Sequence, residues 1–385
     1  MVTQGKDAAF LEIAGAIRKY GSGNAAARAL SGRYTRYQVQ AVAKQVRAAN
    51  EDLVENDVLE SRRSKEVSLL NRKYRDAVEK IGVLQSQLDV LASFPVPKAR
   101  VVEPEESRPE GDAAAVVAWG DWHLEERIDP DTVDGMNVYD PDVFRRRHHA
   151  MLQNTVKLIA SCRSVSNVDE LVISLLGDFF SGYIHPELKA VNAMGPMEAL
   201  AEARDKIIEG IEFLAANAGV PRDRIRVVAC YGNHSRITEK SWHSRAASVS
   251  LEYMMYVDLA TRYQGDIHWD IAKGAYKVVD IKGKAVRFHH GDRIRYYGGV
   301  GGIGIPLNKT IAAWNKVREA DFDVLGHFHQ YKYDKGGRWM TCPTLAGYSA
   351  FAVDIKADYE EPAQGLLIVD RRHRTPVFTY DVFCE

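Results

Sequence analysis

Five short clusters of aspartate, histidine and asparagine between Asp121 and His329 hold the side chains best able to do chemistry in this 385-residue chain. The first, Gly120-Asp121-Trp122-His123, follows the apolar run Val116-Val117-Ala118. In extended chain, residues two apart share a face, so this carboxylate and imidazole could grip one ion. The second is Gly177-Asp178, after the apolar stretch 171–176. A carboxylate has two oxygens, so Asp178 could bridge two cations about 3.5–4 Å apart, the separation that two-metal sites use. The third, Gly232-Asn233-His234, offers a neutral amide oxygen as a hard ligand and, beside it, an imidazole free to act as an acid. The fourth is His289-His290-Gly291-Asp292, and the fifth is Gly326-His327-Phe328-His329, with two imidazoles on one face. Each cluster alone is weak, because a lone histidine near a strand end is more often a core or surface residue. Five of them, all where an apolar strand should end, point to a metal centre, since open α/β sheets place ligands at that edge.

In this order the clusters read D-x-H, G-D, G-N-H, H-G and G-H-x-H, and over residues 113–350 the chain resembles the calcineurin-like metallophosphoesterases. The resemblance implies that Asp121, His123 and His329 hold one metal, that Asn233, His290 and His327 hold a second, and that Asp178 stands between them. It implies that His234 protonates the leaving oxygen or steadies the phosphoryl group. It also implies a four-layer sandwich of two β-sheets flanked by helices. Phosphoryl transfer needs charge neutralisation and a hydroxide at neutral pH, which a metal pair supplies. A mixed imidazole and carboxylate set suits two divalent ions of the Mn, Fe, Zn or Ni type, with Mn favoured over Mg. The chain departs from the pattern in places. Ser235 and Arg236 follow G-N-H where an acid is frequent, and Ser181 stands where the family's double-strand-break nucleases carry a further histidine, His185 being the nearest imidazole downstream. Arg236, Arg293 and Arg295 are candidate phosphate contacts, against the plainer reading of solvated charge. The glycine-rich stretch 298–310 lacks the glycine spacing of a phosphate-cradling loop before Lys309, and reads instead as a mobile loop beside the fourth cluster.

The scaffold must bring these clusters together. Between 113 and 385, apolar strand segments (114–118, 171–176, 226–230, 276–281, 285–289, 322–325, 339–342, 366–369 and 377–382) alternate with amphipathic helices at 140–161 and 197–217. That is an α/β domain. Ahead of it, residues 1–50 carry eight basic side chains against Asp7 and Glu12, a net of +6, so with the chain at −1 the remainder is −7. Three short helices (8–20, 24–30 and 35–47) with glycine breaks read as a basic helix-turn-helix or, alternatively, a helical protein-contact module. In the first reading Arg33, Arg36, Lys44 and Arg47 meet DNA. Residues 51–94 form a helix whose apolar positions Val67, Leu70, Tyr74, Ala77, Ile81, Leu84, Leu88 and Leu91 make a heptad seam. That seam either packs on its own domain or, as we favour, pairs two copies as a coiled coil. Prolines and glutamates mark a linker over 95–112.

No apolar run approaches the roughly 18 residues that cross a bilayer, and no secretory signal is apparent, so a membrane role is excluded and the cytoplasm is expected. Four scattered cysteines with no CxxC pair argue against a zinc ribbon or a disulfide framework. The functional expectation is a two-metal phosphodiesterase acting on DNA, with the N-terminal module delivering substrate. Its rivals are a phosphatase or nucleotide phosphodiesterase for small substrates, and a DNA-tethered binding protein whose metal is structural.

Overall fold

A computed structural model describes residues 2–93, 112–296 and 302–385, and the chain divides into two compact units, Met1–Glu103 and Pro104–Glu385. In the first, helices α1 (Val2–Tyr20), α2 (Gly23–Ala29) and the start of α3 (Arg36–Ser93) close on a small core of Ile13, Ala26, Val39 and Val42. Ser22 caps α2 by accepting the Ala25 N–H at 3.2 Å. Thr35 and Gln38 cap α3 reciprocally, Thr35 N–H to Gln38 Oε1 at 2.8 Å and Gln38 N–H to Thr35 Oγ1 at 3.4 Å.

Helix α3 does not stop at Arg47. It runs for 58 residues, about 87 Å at 1.5 Å per residue. The expected third helix and heptad helix are one element, and the expected boundary at 50/51 lies inside it. No glycine or proline interrupts the sequence from Arg36 to Ile81, so nothing local ends the helix. Val67, Leu70, Tyr74, Ile81, Leu84 and Leu88 are each more than half exposed along it. The side chain of Leu91, and the linker apart from Asp112, lie outside the described residues.

The second unit holds strands β1 (Ala113–Trp119), β2 (Val168–Leu175), β3 (Ile225–Ala229), β4 (His268–Ile271), β5 (Lys277–Ile281), β6 (Lys284–His289), β7 (Phe322–Leu325), β8 (Lys332–Asp334), β9 (Trp339–Thr341), β10 (Ala363–Asp370) and β11 (Phe378–Phe383). They form a six-stranded sheet in the order β11-β10-β1-β2-β3-β4 and a five-stranded sheet in the order β5-β6-β7-β9-β8. Between and beyond the strands come α4 (Pro141–Cys162), α5 (Leu188–Val191), α6 (Pro196–Asn217), α7 (Leu251–Arg262), α8 (Gly304–Asn315) and α9 (Ala350–Ile355).

Strand β1 explains the layering. Ala113, Ala115, Val117 and Trp119 face a core with Phe144 and Met151 of α4, Ile207 and Ile211 of α6, and Tyr256 of α7. Ala114, Val116 and Ala118 face the other way, against Val279, Val286, Phe288, Val324 and Met340 of the second sheet. A strand buried on both faces needs apolar residues at every position, which is why it reads as an unbroken run. On the outer face of the second sheet, Leu325 and Trp339 pack under Leu307 and Ile311 of α8. The result is helix, sheet, sheet, helix. Strands β4 and β8 and helices α5, α7, α8 and α9 were not expected from the sequence; the two strands, His-Trp-Asp-Ile and Lys-Tyr-Asp, are short and carry charged or polar residues in place of an apolar run. Helix α8 corrects the reading of 298–310 as a mobile loop: from Gly304 the chain is helical, and its Asn308 Oδ1 accepts the Trp339 indole N–H at 2.8 Å. Residues 297–301 lie outside the described set. Among the described residues no helix is long and apolar enough to cross a membrane.

Candidate metal centre

All five clusters lie just past the carboxyl ends of strands. Strands β1, β2 and β3 are parallel neighbours in the first sheet, and β6 and β7 are parallel neighbours in the second, so the loops that follow them share one edge of the sandwich. The ligand pairs do not, however, share a face because the chain is extended. Asp121 (φ 51°), His123 (φ 44°), Asp178 (φ 55°), His327 (φ 72°) and His329 (φ 56°) are left-handed. The chain curls at each of these residues, and alternate side chains converge by curvature rather than by pleat. Gly177, at φ 90°, supports this turn as only glycine easily can. A Cβ on Gly326 would stand 2.5 Å from Asp121 Oδ2, so the fifth loop can approach the first only without one.

The structure brings the expected ligands together. One ligand atom from each of Asp121, His123 and His329 lies within 4.8 Å of the others, and the same holds for Asp178, His290 and His327. Asn233 joins the second group, its Oδ1 being 3.1 Å from His290 Nε2. His234 also groups with His123 and Asp178 within that reach, so it borders the first set.

The donor chemistry fits cations. His290 Nδ1 lies 2.8 Å from the Leu176 carbonyl, to which it can only donate, and its Nε2 then faces Asp178 Oδ2 at 2.9 Å and Asn233 Oδ1. An imidazole lone pair against two oxygen acceptors requires a positive charge between them, a proton or a metal ion. His123 repeats the pattern: Nδ1 is 2.8 Å from Ser181 Oγ, and Nε2 is 3.2 Å from His329 Nε2. Asp121 Oδ1 is buried and accepts no hydrogen bond.

Charge is strongly perturbed here. Burial alone would lower His290, but Asp178 outweighs it and carries the ring up to about 10. Burial alone would raise Asp178, yet the surrounding imidazoles, His290 foremost, hold it well below the usual carboxylate range. Burial and the His290 charge push His327 down to about 3, and burial with His234 keeps His123 well below the usual imidazole range. Neutral imidazoles with free lone pairs are the form that binds metal.

Four carboxylates organise the loops, two of which the sequence reading missed. Asp121 Oδ2 accepts the His327 N–H and Asp178 Oδ1 the His234 N–H, each at 2.8 Å. Glu252, fully buried on α7, accepts the N–H groups of Phe179 at 2.8 Å and Gly232 at 2.7 Å, and burial next to Asp178 pushes it up to about 7. Glu125 accepts the N–H groups of Ser181 and Gly182 at 2.9 Å, and burial raises it likewise to about 7. Glu125 sits two residues past His123, a signal that was available; Glu252 has no local signal. Gln364 and Thr344 pin the first loop from β10 and from the chain after β9, Gln364 through Gly120 N–H at 2.9 Å and Thr344 through the Asp121 carbonyl at 2.6 Å.

The other expected residues are placed less directly. Arg236 donates to the Asn233 carbonyl at 2.6 Å, so it braces the third loop. Arg293 lies against His243 Nδ1 at 2.6 Å, the Trp242 carbonyl and Asp292, and Arg295 is exposed. In the N-terminal unit Arg33 is paired with Glu12 at 2.8 Å, while Arg36, Lys44 and Arg47 are exposed on α3.

Glu252 generates a test. Glu252→Gln sets an amide N–H₂ against one of the two backbone N–H groups, at a cost of about 1–3 kcal/mol. Stability in denaturant should fall by that amount, and metal affinity in chelator competition by roughly 10–100-fold. Unchanged affinity would show that Glu252 does not support the centre.

No protein-family profile matches the chain, and no curated protein does. Among solved structures, an archaeal phosphodiesterase aligns at 12% identity over 69% of this chain and 99% of its own, with a TM-score of 0.32. Vps29 of Entamoeba histolytica complexed with zinc aligns at 13% identity over 70% and 99%, with a TM-score of 0.28. A predicted phosphoesterase of Streptococcus pneumoniae aligns at 11% over 70% and 97%, with a TM-score of 0.27. The chain's own topology is a four-layer α/β sandwich, two sheets between helices, with five Asp, His and Asn loops on one edge.

Proposed function

We propose that this chain is a metal-dependent phosphoesterase, and more narrowly a two-metal phosphodiesterase that cuts DNA. The observation that carries the reading is the pair of donor groups, Asp121/His123/His329 and Asp178/His290/His327, set side by side with Asn233 at the second. A bound divalent pair supplies hydroxide at neutral pH and neutralises the non-bridging phosphoryl oxygens. Asp178, which groups with His123 and His234 on one side and with His290 and His327 on the other, would be the residue shared by the two ions. His234 has Nδ1 2.9 Å from the Ser181 carbonyl, to which it donates, so Nε2 is the nitrogen that exchanges a proton with the leaving oxygen. Ser181 thereby fixes two rings at once, through its carbonyl for His234 and its hydroxyl for His123.

With Mn, the full chain should hydrolyse bis(p-nitrophenyl) phosphate and single- or double-stranded DNA. His234→Ala should cut turnover by roughly 10²–10⁴ with metal content retained, and Asp178→Ala should abolish both turnover and metal retention. Hydrolysis of a phosphomonoester dye alone would move the small-substrate reading ahead. Metal retention without hydrolysis of any ester would favour a binding protein with a structural metal.

The nucleic-acid part of the proposal is supported by the basic N-terminal unit. Arg36, Lys44 and Arg47 are exposed on α3, with Tyr37 beside them at 84% exposure, in the placement of a helix-turn-helix reading helix. The exposed heptad stripe further along α3 is the seam by which two copies pair, giving a two-fold DNA contact. Each phosphate contact removed should reduce the log–log salt slope of DNA binding by about 0.9, so the Arg36, Lys44 and Arg47 triple alanine variant should flatten it by nearly three. Sedimentation should show a dimer that Leu70→Glu with Leu84→Glu dissociates. A salt slope untouched by the triple variant would remove the delivery role.

A further inference from the structure

We infer that the loop of residues 182–192 is a nucleobase-binding subsite beside His234, and that the group it takes is the base of the departing nucleotide; this rests on the phosphodiesterase reading above. The loop is closed at its base. Gly182 N–H donates to Glu125 Oε1 at 2.9 Å, Asn192 Nδ2 donates to the Gly182 carbonyl at 2.9 Å, and Ala193 N–H donates to the Glu125 carbonyl at 2.6 Å. Both ends are therefore fixed to Glu125, which follows the first ligand pair, one through its carboxylate and the other through its backbone carbonyl. The segment between them projects as a unit rather than as slack chain.

That unit lies on the general acid. Gly182 is left-handed at φ +58°, and a Cβ there would stand 2.9 Å from the His234 carbonyl oxygen, so the backbone approaches closely. Three residues on, the exposed His185 ring sits 6.0 Å from the His234 ring, centroid to centroid, with the planes at 72°. Tyr183 is 43% exposed, and Lys189 Nζ lies 6.0 Å from its ring centroid. Exposed aromatic, imidazole and ammonium groups on a fixed loop form the set that engages a nucleotide, a π-face for the base and donors for phosphate oxygens. A groove of about 770 Å³ borders the carboxyl-terminal end of the loop, where Ala190, Val191, Ala193 and Met194 face the turn at Arg127–Asp129. The plainer reading, a solvated connection from β2 to α6, explains neither the clamped base nor the placement of His185 on His234.

The test is calorimetric binding to the full chain loaded with Mn, using adenosine 3′- and 5′-monophosphate and, as the base-free control, ribose 5-phosphate. A stacked base contributes about 1–3 kcal/mol, so at least one adenosine phosphate should bind roughly 5- to 150-fold more tightly than ribose 5-phosphate. Tyr183→Ala should bring that ratio close to one and Tyr183→Phe should restore it, which a merely structural loss would not. His185→Ala should weaken adenosine phosphate and ribose 5-phosphate alike. No preference for the base in the unaltered chain, or a preference that survives Tyr183→Ala, overturns the subsite. Hydrolysis of bis(p-nitrophenyl) phosphate is scored separately: a base preference without hydrolysis overturns the phosphodiesterase reading alone, and hydrolysis without a base preference overturns the subsite alone.

Discussion

Each metal-site carboxylate does two jobs, and the rest of the centre depends on it. Asp121 and Asp178 each give one oxygen to the backbone N–H of a ligand-bearing loop from elsewhere in the chain, His327 and His234 respectively, and leave the other for the centre. Glu252 ties the loop after Asp178 to the loop that bears His234, and Glu125 holds the first of these from outside. The clamps are needed because five ligand residues are left-handed, at on the order of 1–2 kcal/mol each. The sum, roughly 5–10 kcal/mol, is comparable to the whole stability of a typical domain. Charge-assisted hydrogen bonds of about 1.5–3 kcal/mol each are of the size required to offset it.

The clamps in turn concentrate negative charge away from water. Asp121, Asp178, Glu125 and Glu252 are all buried. The neighbouring Asp178 charge adds to burial in pushing Glu252 up to about 7. Burying charge without neutralisation costs several kcal/mol per ion, so bound cations would form one thermodynamic unit with these loops. Activity and local order at this edge should therefore respond together to metal.

Much of this was legible in the sequence, and what was not has physical causes. The first cluster is visible because it follows a strand buried on both faces, and 113–119 is accordingly apolar throughout, whereas β6 before the fourth cluster carries Lys284, Arg287 and His289. How they converge was misjudged: the spacing of Asp121 and His123 suggested a pleat, whereas a positive φ at non-glycine residues leaves no mark in the sequence. Glu252 was invisible because its partners, Phe179 and Gly232, lie on other loops. In the N-terminal unit the helical periods were readable, but their fusion into α3 followed from the absence of any breaker, which is easy to overlook when charge and pattern change near residue 50. Arg33 looked like a phosphate contact until Glu12 and its fold brought a carboxylate to it.

Two donor groups on one edge, with Asp178 placed where it could serve both, should hold two ions. The most direct measurement is the metal stoichiometry of the full chain, stripped with chelator, reloaded with Mn and desalted, by elemental analysis beside an Asp178→Asn variant. Two ions per chain, lost together in the variant, is the result the account predicts. A single ion per chain, or two that the variant keeps, would contradict it.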